Sequence, residues 1–219
     1  MTSIQVWDWP LRLCHWGLAV AIVGAYGTAE LGWLDMEWHF RFGYLALGLV
    51  LFRLLWGIAG TRHSRFASFL RGPGAVIAYL RGGSAQARAW VGHSPLAGWA
   101  TLMLLLAVLV QVSSGLFNYD DIEWFGPLYD FAGRDLQRLA HRVHDQAFWA
   151  LLGLIALHLL AILWYLLRGR NLIPAMLHGR QQGQSEQAAE AFPWWRFAVV
   201  LLIALASVYV ISNAPALFL

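Results

Sequence analysis

Apolar runs about twenty residues long, separated by short polar stretches, set the pattern of this chain. A helix needs about 20 residues to cross a hydrocarbon core roughly 30 Å thick, and five runs meet that length. They fall at about 11–31, 39–60, 95–117, 143–167 and 194–213. The second is the least apolar because Arg41 and Arg53 interrupt it, whereas the third carries no charge. The pattern predicts an all-α integral membrane protein. Residues 1–170 form a four-helix transmembrane bundle, and 171–219 add a loop and a fifth, C-terminal membrane helix. No soluble domain fits between the spans, since the longest connection is about 34 residues. The tract QQGQSEQAAEA near 181–191 predicts a polar surface loop.

Composition supports the bilayer. Of 219 residues, 59% are hydrophobic and 12% charged, while a soluble domain has about a quarter of its residues charged. Cys14 is the single cysteine, which excludes an internal disulfide and a thiolate-held cluster and predicts a small core residue. No CxxCH occurs, so covalent c-type haem is excluded. The start, MTSIQVWDWPLRLCHW, lacks a basic region and an AxA-like cleavage site, and predicts a retained first span. No nucleic-acid partner is expected.

Arginines orient the spans. The 61–94 loop carries Arg62, Arg65, Arg71, Arg81 and Arg88 with no acid; Arg168, Arg170 and Arg180 follow the fourth span, and Arg12 and Arg196 belong to the same side. The opposite connections hold Glu30, Asp35, Glu37, Asp120, Asp121, Glu123, Asp130 and Asp135 against Arg134, Arg138 and Arg142. The asymmetry predicts a cytoplasmic N-terminus and, with five spans, an outside C-terminus.

That topology gives each histidine a depth. His144 and His158 are fourteen residues apart in one apolar helix, about 40° apart around it and roughly 21 Å along it. His15 matches His158 at the inner level, and His39 matches His144 at the outer. His158 sits among Leu157, Leu159, Leu160 and Ala161, where an unpartnered imidazole is costly and a functional role is the default. Zinc would need further protein ligands at each level. Haem iron needs two axial ligands, and its apolar macrocycle fills space between helices. Two b haems, each held by two imidazoles, fit the four metal-ligand candidates His15, His39, His144 and His158. His141, one turn before His144, can compete for the outer site, but it is turned about 100° from His158. His63, His93 and His178 fall in cytoplasmic loops and read as solvated.

VWDWPLRLCHW with His15, WHFRFGYLALGLVLFRLLWG with His39 and Arg53, and His144 through LIALHLLA with His158 resemble the bacterial cytochrome b561 and nickel-iron hydrogenase b-type cytochrome family over about residues 4–170. The resemblance implies a four-helix core with two b haems, His15 and His158 holding one and His39 and His144 the other. It further implies electron transfer between the quinone pool and a periplasmic partner, in the bacterial inner membrane. The fifth span and the long acidic segment NYDDIEWFGPLYDFAGRD depart from the commonest pattern.

Two arginines join the cofactor-binding candidates. Arg53 falls near the inner level, where it can snorkel to the surface or pair with haem propionates; Arg41 can do the same outside. Gly43, Gly48, Gly98 and Gly115 suit helix packing or a haem edge. The tryptophans Trp7, Trp9, Trp16, Trp33, Trp38, Trp56, Trp90, Trp99, Trp124, Trp194 and Trp195 mostly sit near span ends and read as an interfacial belt. The acidic outer loops suit a basic partner such as a c-type cytochrome. Alternatives are a superoxide:quinone oxidoreductase, the membrane anchor of a hydrogenase or dehydrogenase, and a haem-free anchor or proton-relay transporter. The last is disfavoured because no Asp or Glu occurs in the interior of spans two to five.

Overall fold

The computed structural model describes residues 2–82, 92–119, 123–183 and 191–218. Arg88, Trp90, Asp120, Asp121 and residues 184–190 of the glutamine-rich tract lie outside the described residues.

Helix α1 (Trp9–Glu30) starts at Asp8, whose carboxylate accepts from Leu11 N at 2.9 Å, and Pro10 stands in the first turn, where its missing N–H costs nothing. A turn with Gly32 at φ 63° reverses the chain. Helix α2 (Met36–Ala59) follows, capped by Asp35 onto Trp38 N. The hairpin is tight: a Cβ on Gly24 would stand 2.5 Å from Phe42, and one on Gly27 2.0 Å from Trp33. Glycine here lets the two helices approach.

The described residues of the 61–94 connection form a 3-10 turn (Arg62–Ser64), α3 (Phe66–Phe69) and α4 (Pro73–Arg81). Helix α5 (Pro95–Gly115), capped by Ser94, leads through a 3-10 turn at Tyr129–Phe131 into α6 (Arg134–Leu167). Helix α6 has 34 residues, roughly 50 Å of rise, and overshoots a bilayer. It begins nine residues before the predicted span because Gln137 donates to Tyr129 O and Ala132 O, at 3.1 and 3.0 Å, and stops the first turn from fraying. The chain ends with α7 (Ile173–His178), α8 (Trp194–Ser212) and α9 (Ala214–Phe218).

The molecule is mostly helical, with one correction to the all-α expectation. Strand β1 (Thr2–Gln5) pairs antiparallel with β2 (Arg180–Gly183). Residues 181–183, expected in a surface loop, are therefore a strand. Four of the five long helices are long and apolar enough to cross a membrane: α2, α5, α6 and α8. The predicted C-terminal span is among them. Helix α1 is 22 residues long but less apolar, diluted by Arg12, His15 and Glu30.

Helix α2 is the centre. It packs against α1, α5 and α8. Cys14, Phe52, Trp56, Val200 and Ala204 form one buried cluster, and Val50, Leu105, Val108 and Leu151 another. Gly48 and Gly98 serve packing: a Cβ on the first would meet Val208 at 3.2 Å, on the second Phe69 O at 2.9 Å. A Cβ on Gly43, one turn beyond His39, would meet nothing within 4 Å.

Candidate functional site

Helix α6 packs along α5, but its backbone scarcely approaches α1 or α2. Only 6% of its spanning window is buried, against 39% for α2. Histidines face one another across that space in two places. His15 of α1 and His158 of α6 have ring centres 6.3 Å apart. His39 of α2 and His144 of α6 also stand at 6.3 Å.

The distance discriminates between chemistries. Two metal–imidazole bonds of roughly 2.0 Å, with about 1 Å more from each nitrogen to its ring centre, separate the centres by about 6 Å. A direct N–H···N bond of about 2.9 Å would bring them to about 5 Å. The 6.3 Å separation of each pair matches the first spacing and exceeds the second. Among the described residues, no group of three or more His, Cys, Asp or Glu is placed to hold a metal.

The pair at the acidic end is oriented by backbone. His39 Nδ1 lies 3.0 Å from Ala25 O, and His144 Nδ1 lies 3.0 Å from Gln111 O. A carbonyl only accepts, so each Nδ1 carries the proton and each Nε2 keeps its lone pair. Ser114 Oγ also lies 3.2 Å from His144 Nδ1, and the Gln111 amide nitrogen stands 3.2 Å from His144 Nε2. Gly115 abuts the same ring, 3.0 Å from His144 Cε1 to where a Cβ would be. His141 faces elsewhere: Nδ1 bonds Asn118 Oδ1 at 2.9 Å, and Asp145 lies 3.7 Å from Nε2. Arg41 is exposed, paired with Glu37, with its guanidinium 4.7 Å from the Trp38 ring centre.

At the arginine-rich end, His15 Nδ1 is buried with no hydrogen-bond partner among the described residues. Nearby lies a polar cluster that the sequence reading missed. Asp8 is 6% exposed. Its Oδ2 accepts from Trp56 Nε1 at 2.9 Å, Thr61 Oγ1 at 2.6 Å and Ser64 Oγ at 2.7 Å. Ser64 also accepts, through its carbonyl, from Arg53 Nη1 at 3.1 Å. It therefore bridges the two buried charges. Asp8 before Pro10 is legible as a helix cap, but its other donors stand 48 to 56 residues away.

Of the two readings of Arg53, burial removes one: at 4% exposure it does not snorkel. Its guanidinium lies 5.0 Å from the Phe66 ring centre and 6.0 Å from that of Phe69, and Nη2 has no partner among the described residues. His93 corrects another. Read as solvated, it packs between Trp7 and Phe69 at 4.6 and 4.3 Å, with Nδ1 buried. Burial, then the charges of Arg53 and His63, push its pKa down to about 3, so the imidazole stays neutral. His178 is exposed. Trp7 and Trp56 are buried rather than part of an interfacial belt, while Trp9, Trp16, Trp33, Trp38, Trp99, Trp194 and Trp195 are exposed.

An apolar helix bundle with two facing imidazole pairs, set one above the other along a single helix, defines a membrane protein built around paired-histidine sites. The chain belongs to the prokaryotic cytochrome b561 family, whose model matches residues 6–179. It is a b-type membrane cytochrome of electron transport, and the family implies b-type haem. A probable Ni/Fe-hydrogenase B-type cytochrome subunit from Bradyrhizobium diazoefficiens is 24% identical over 213 residues, covering 82% of this chain and 86% of the relative. No solved structure matches the chain.

Proposed function

We propose that the chain holds two b haems, one between His15 and His158 and one between His39 and His144, and carries electrons between the quinone pool and a redox partner on the periplasmic side of the inner membrane. The observation that carries this reading is the equal 6.3 Å separation of the two pairs. The haem irons supply reversible one-electron chemistry when bound.

The protein's part is ligation, orientation and exclusion of water. The carbonyls of Ala25 and Gln111 fix the rings of His39 and His144 with Nδ1 protonated; a metal held by His144 would take the place of the Gln111 amide beside Nε2. Arg53, buried with an unpaired N–H, suits a haem propionate at the arginine-rich end. Arg41 suits the same role at the acidic end by exchanging Glu37 for a propionate. The reading places the N-terminus in the cytoplasm and the acidic end outside. There Glu30, Asp35, Glu37, Glu123, Asp130 and Asp135 favour a basic partner such as a c-type cytochrome. They oppose a small anionic substrate, which disfavours superoxide oxidation. The hydrogenase-associated relative supports a second reading, in which the chain is the membrane subunit of a larger redox enzyme.

A haem count with reduced-minus-oxidised spectra tests the site. Two b haems per chain, falling to one in His158→Ala, is the expected outcome. A purified protein that stays colourless after expression with ample haem would overturn the assignment. For the partner, electron exchange with a basic cytochrome c should slow steeply with salt; a salt-independent rate counts against docking at the acidic face.

A further inference from the structure

We propose that the cleft between β1, α7 and the first turn of α1 binds the phosphate of an anionic membrane lipid. This cavity of about 640 Å³ is lined by Arg12, His178 and Arg180, with Ser3, Gln5 and Leu177 among its other walls. Among the described residues, none that lines it is acidic. Three basic side chains converge on one concave surface, and two hydroxyl- or amide-bearing side chains can donate beside them.

Arg12 is the built element. Its Nη1 donates to Leu177 O, which ties α7 to α1. Its Nε is buried and has no partner among the described residues. With Nη1 tied to Leu177 O, the guanidinium is held at the cleft wall as a pre-oriented positive charge and donor for a phosphate. The β1–β2 ladder fixes Ser3 and Gln5 on one side and Arg180 on the other. Gly179, with φ 76°, turns the chain between α7 and β2; a Cβ there would meet Gln5 Nε2 at 2.4 Å. The walls are therefore held by backbone pairing as well as by side chains.

Place selects lipid over free anion. The cleft opens at the arginine-rich end of the bundle, where α1 begins and shortly after α6 ends. Ile173 and Leu177 of α7 are 41% and 49% exposed. A phosphate in the cleft leaves these apolar side chains against its acyl chains, a contact that inorganic phosphate cannot make. Basic pockets beside membrane helices on the positive side recognise anionic headgroups in this way. Occupancy would clamp β1 and α7 onto the turn of α1 that precedes His15. The inference does not rest on the haem assignment, and its test reads stability, not electron transfer.

The experiment is thermal unfolding of the purified full-length protein, stripped of lipid in neutral detergent. It is titrated separately with phosphatidylglycerol, phosphatidylcholine and inorganic phosphate, with native mass spectrometry of the same samples. Phosphatidylglycerol should raise the midpoint by several degrees and appear as a discrete adduct, while phosphatidylcholine does neither. Arg12→Gln/Arg180→Gln should lose that rise. Arg180→Gln alone, which leaves the Arg12–Leu177 bond intact, should lose part of it and guards against a misfolded double variant. Equal shifts from both lipids, or a full shift retained in both variants, would overturn the proposal. A shift from inorganic phosphate as large as that from phosphatidylglycerol would overturn the lipid as the source.

Discussion

The two histidine pairs share one spacing and differ in everything around it. At the acidic end, His39 and His144 each give Nδ1–H to a main-chain carbonyl, so ring orientation is written into helix geometry. At the arginine-rich end, His15 Nδ1 has no such acceptor among the described residues, and a buried web of Asp8, Arg53, Trp56, Thr61 and Ser64 stands nearby. One pair is oriented by direct bonds from its rings to the main chain. The other is shaped by side chains that pin the surrounding elements. Side-chain substitutions should therefore disturb the second site more than the first.

The largest effect is expected from the histidines proposed as ligands. His158→Ala and His39→Ala should each remove one haem and leave the other with its own spectrum and potential, as read by redox titration. Loss of both haems from either variant would mean that the pairs are one cooperative unit.

Next comes Asp8. Asp8→Ala strips the acceptor from three buried side-chain donors and from the α1 cap, and leaves Arg53 without its nearby counter-charge. The expected cost is about 3–5 kcal/mol, the range for breaking a buried charged network. Asp8→Asn, which keeps one acceptor oxygen, should cost about 1–3 kcal/mol. Calorimetry measures the stability, and the haem count after mild heating measures the contrast, since the His15–His158 site should empty first. Equal loss from both sites would erase the distinction.

The legible and illegible parts of the molecule divide along the same line. The long helices could be read because runs of about twenty apolar residues have few other fates. The pairing of His15 with His158, and of His39 with His144, followed from depth once arginines had set the direction of each span. Their assignment as ligands is a separate chemical inference, open to the haem count. The Asp8 web could not be read. A cap is local, whereas Trp56, Thr61 and Ser64 reach Asp8 only after the α1–α2 hairpin has closed. His93 looked solvated because its covers, Trp7 and Phe69, come from distant segments. The β1–β2 ladder joins four-residue strands nearly 180 residues apart, too short for any periodicity.

His93 gives the third effect, through pH. The unfolded chain takes up a proton near pH 6.5, but the fold refuses it down to about 3. Between those values the unfolded state binds more protons, so stability must fall as pH drops, by at most about 1.4 kcal/mol per pH unit. His93→Phe keeps an apolar ring between Trp7 and Phe69 and should flatten that slope. Thermal midpoints of both proteins from pH 7 to pH 4 measure it, and parallel curves would show that His93 takes up its proton in the fold.

Arg41 should matter least. It forms an exposed i,i+4 pair with Glu37, and such pairs contribute about 0.3–0.5 kcal/mol. Arg41→Gln should shift the midpoint by a degree or so, a loss that salt should mimic in the parent protein. Its potential sharpens the comparison further. If Arg41 supports a propionate, Arg41→Gln removes a positive charge that disfavours the oxidised, more positive iron, so the potential of the acidic-end haem should fall. An unchanged potential with the small loss of stability would restrict Arg41 to its pairing with Glu37, and leave the acidic-end site held by its ligands and their carbonyls alone.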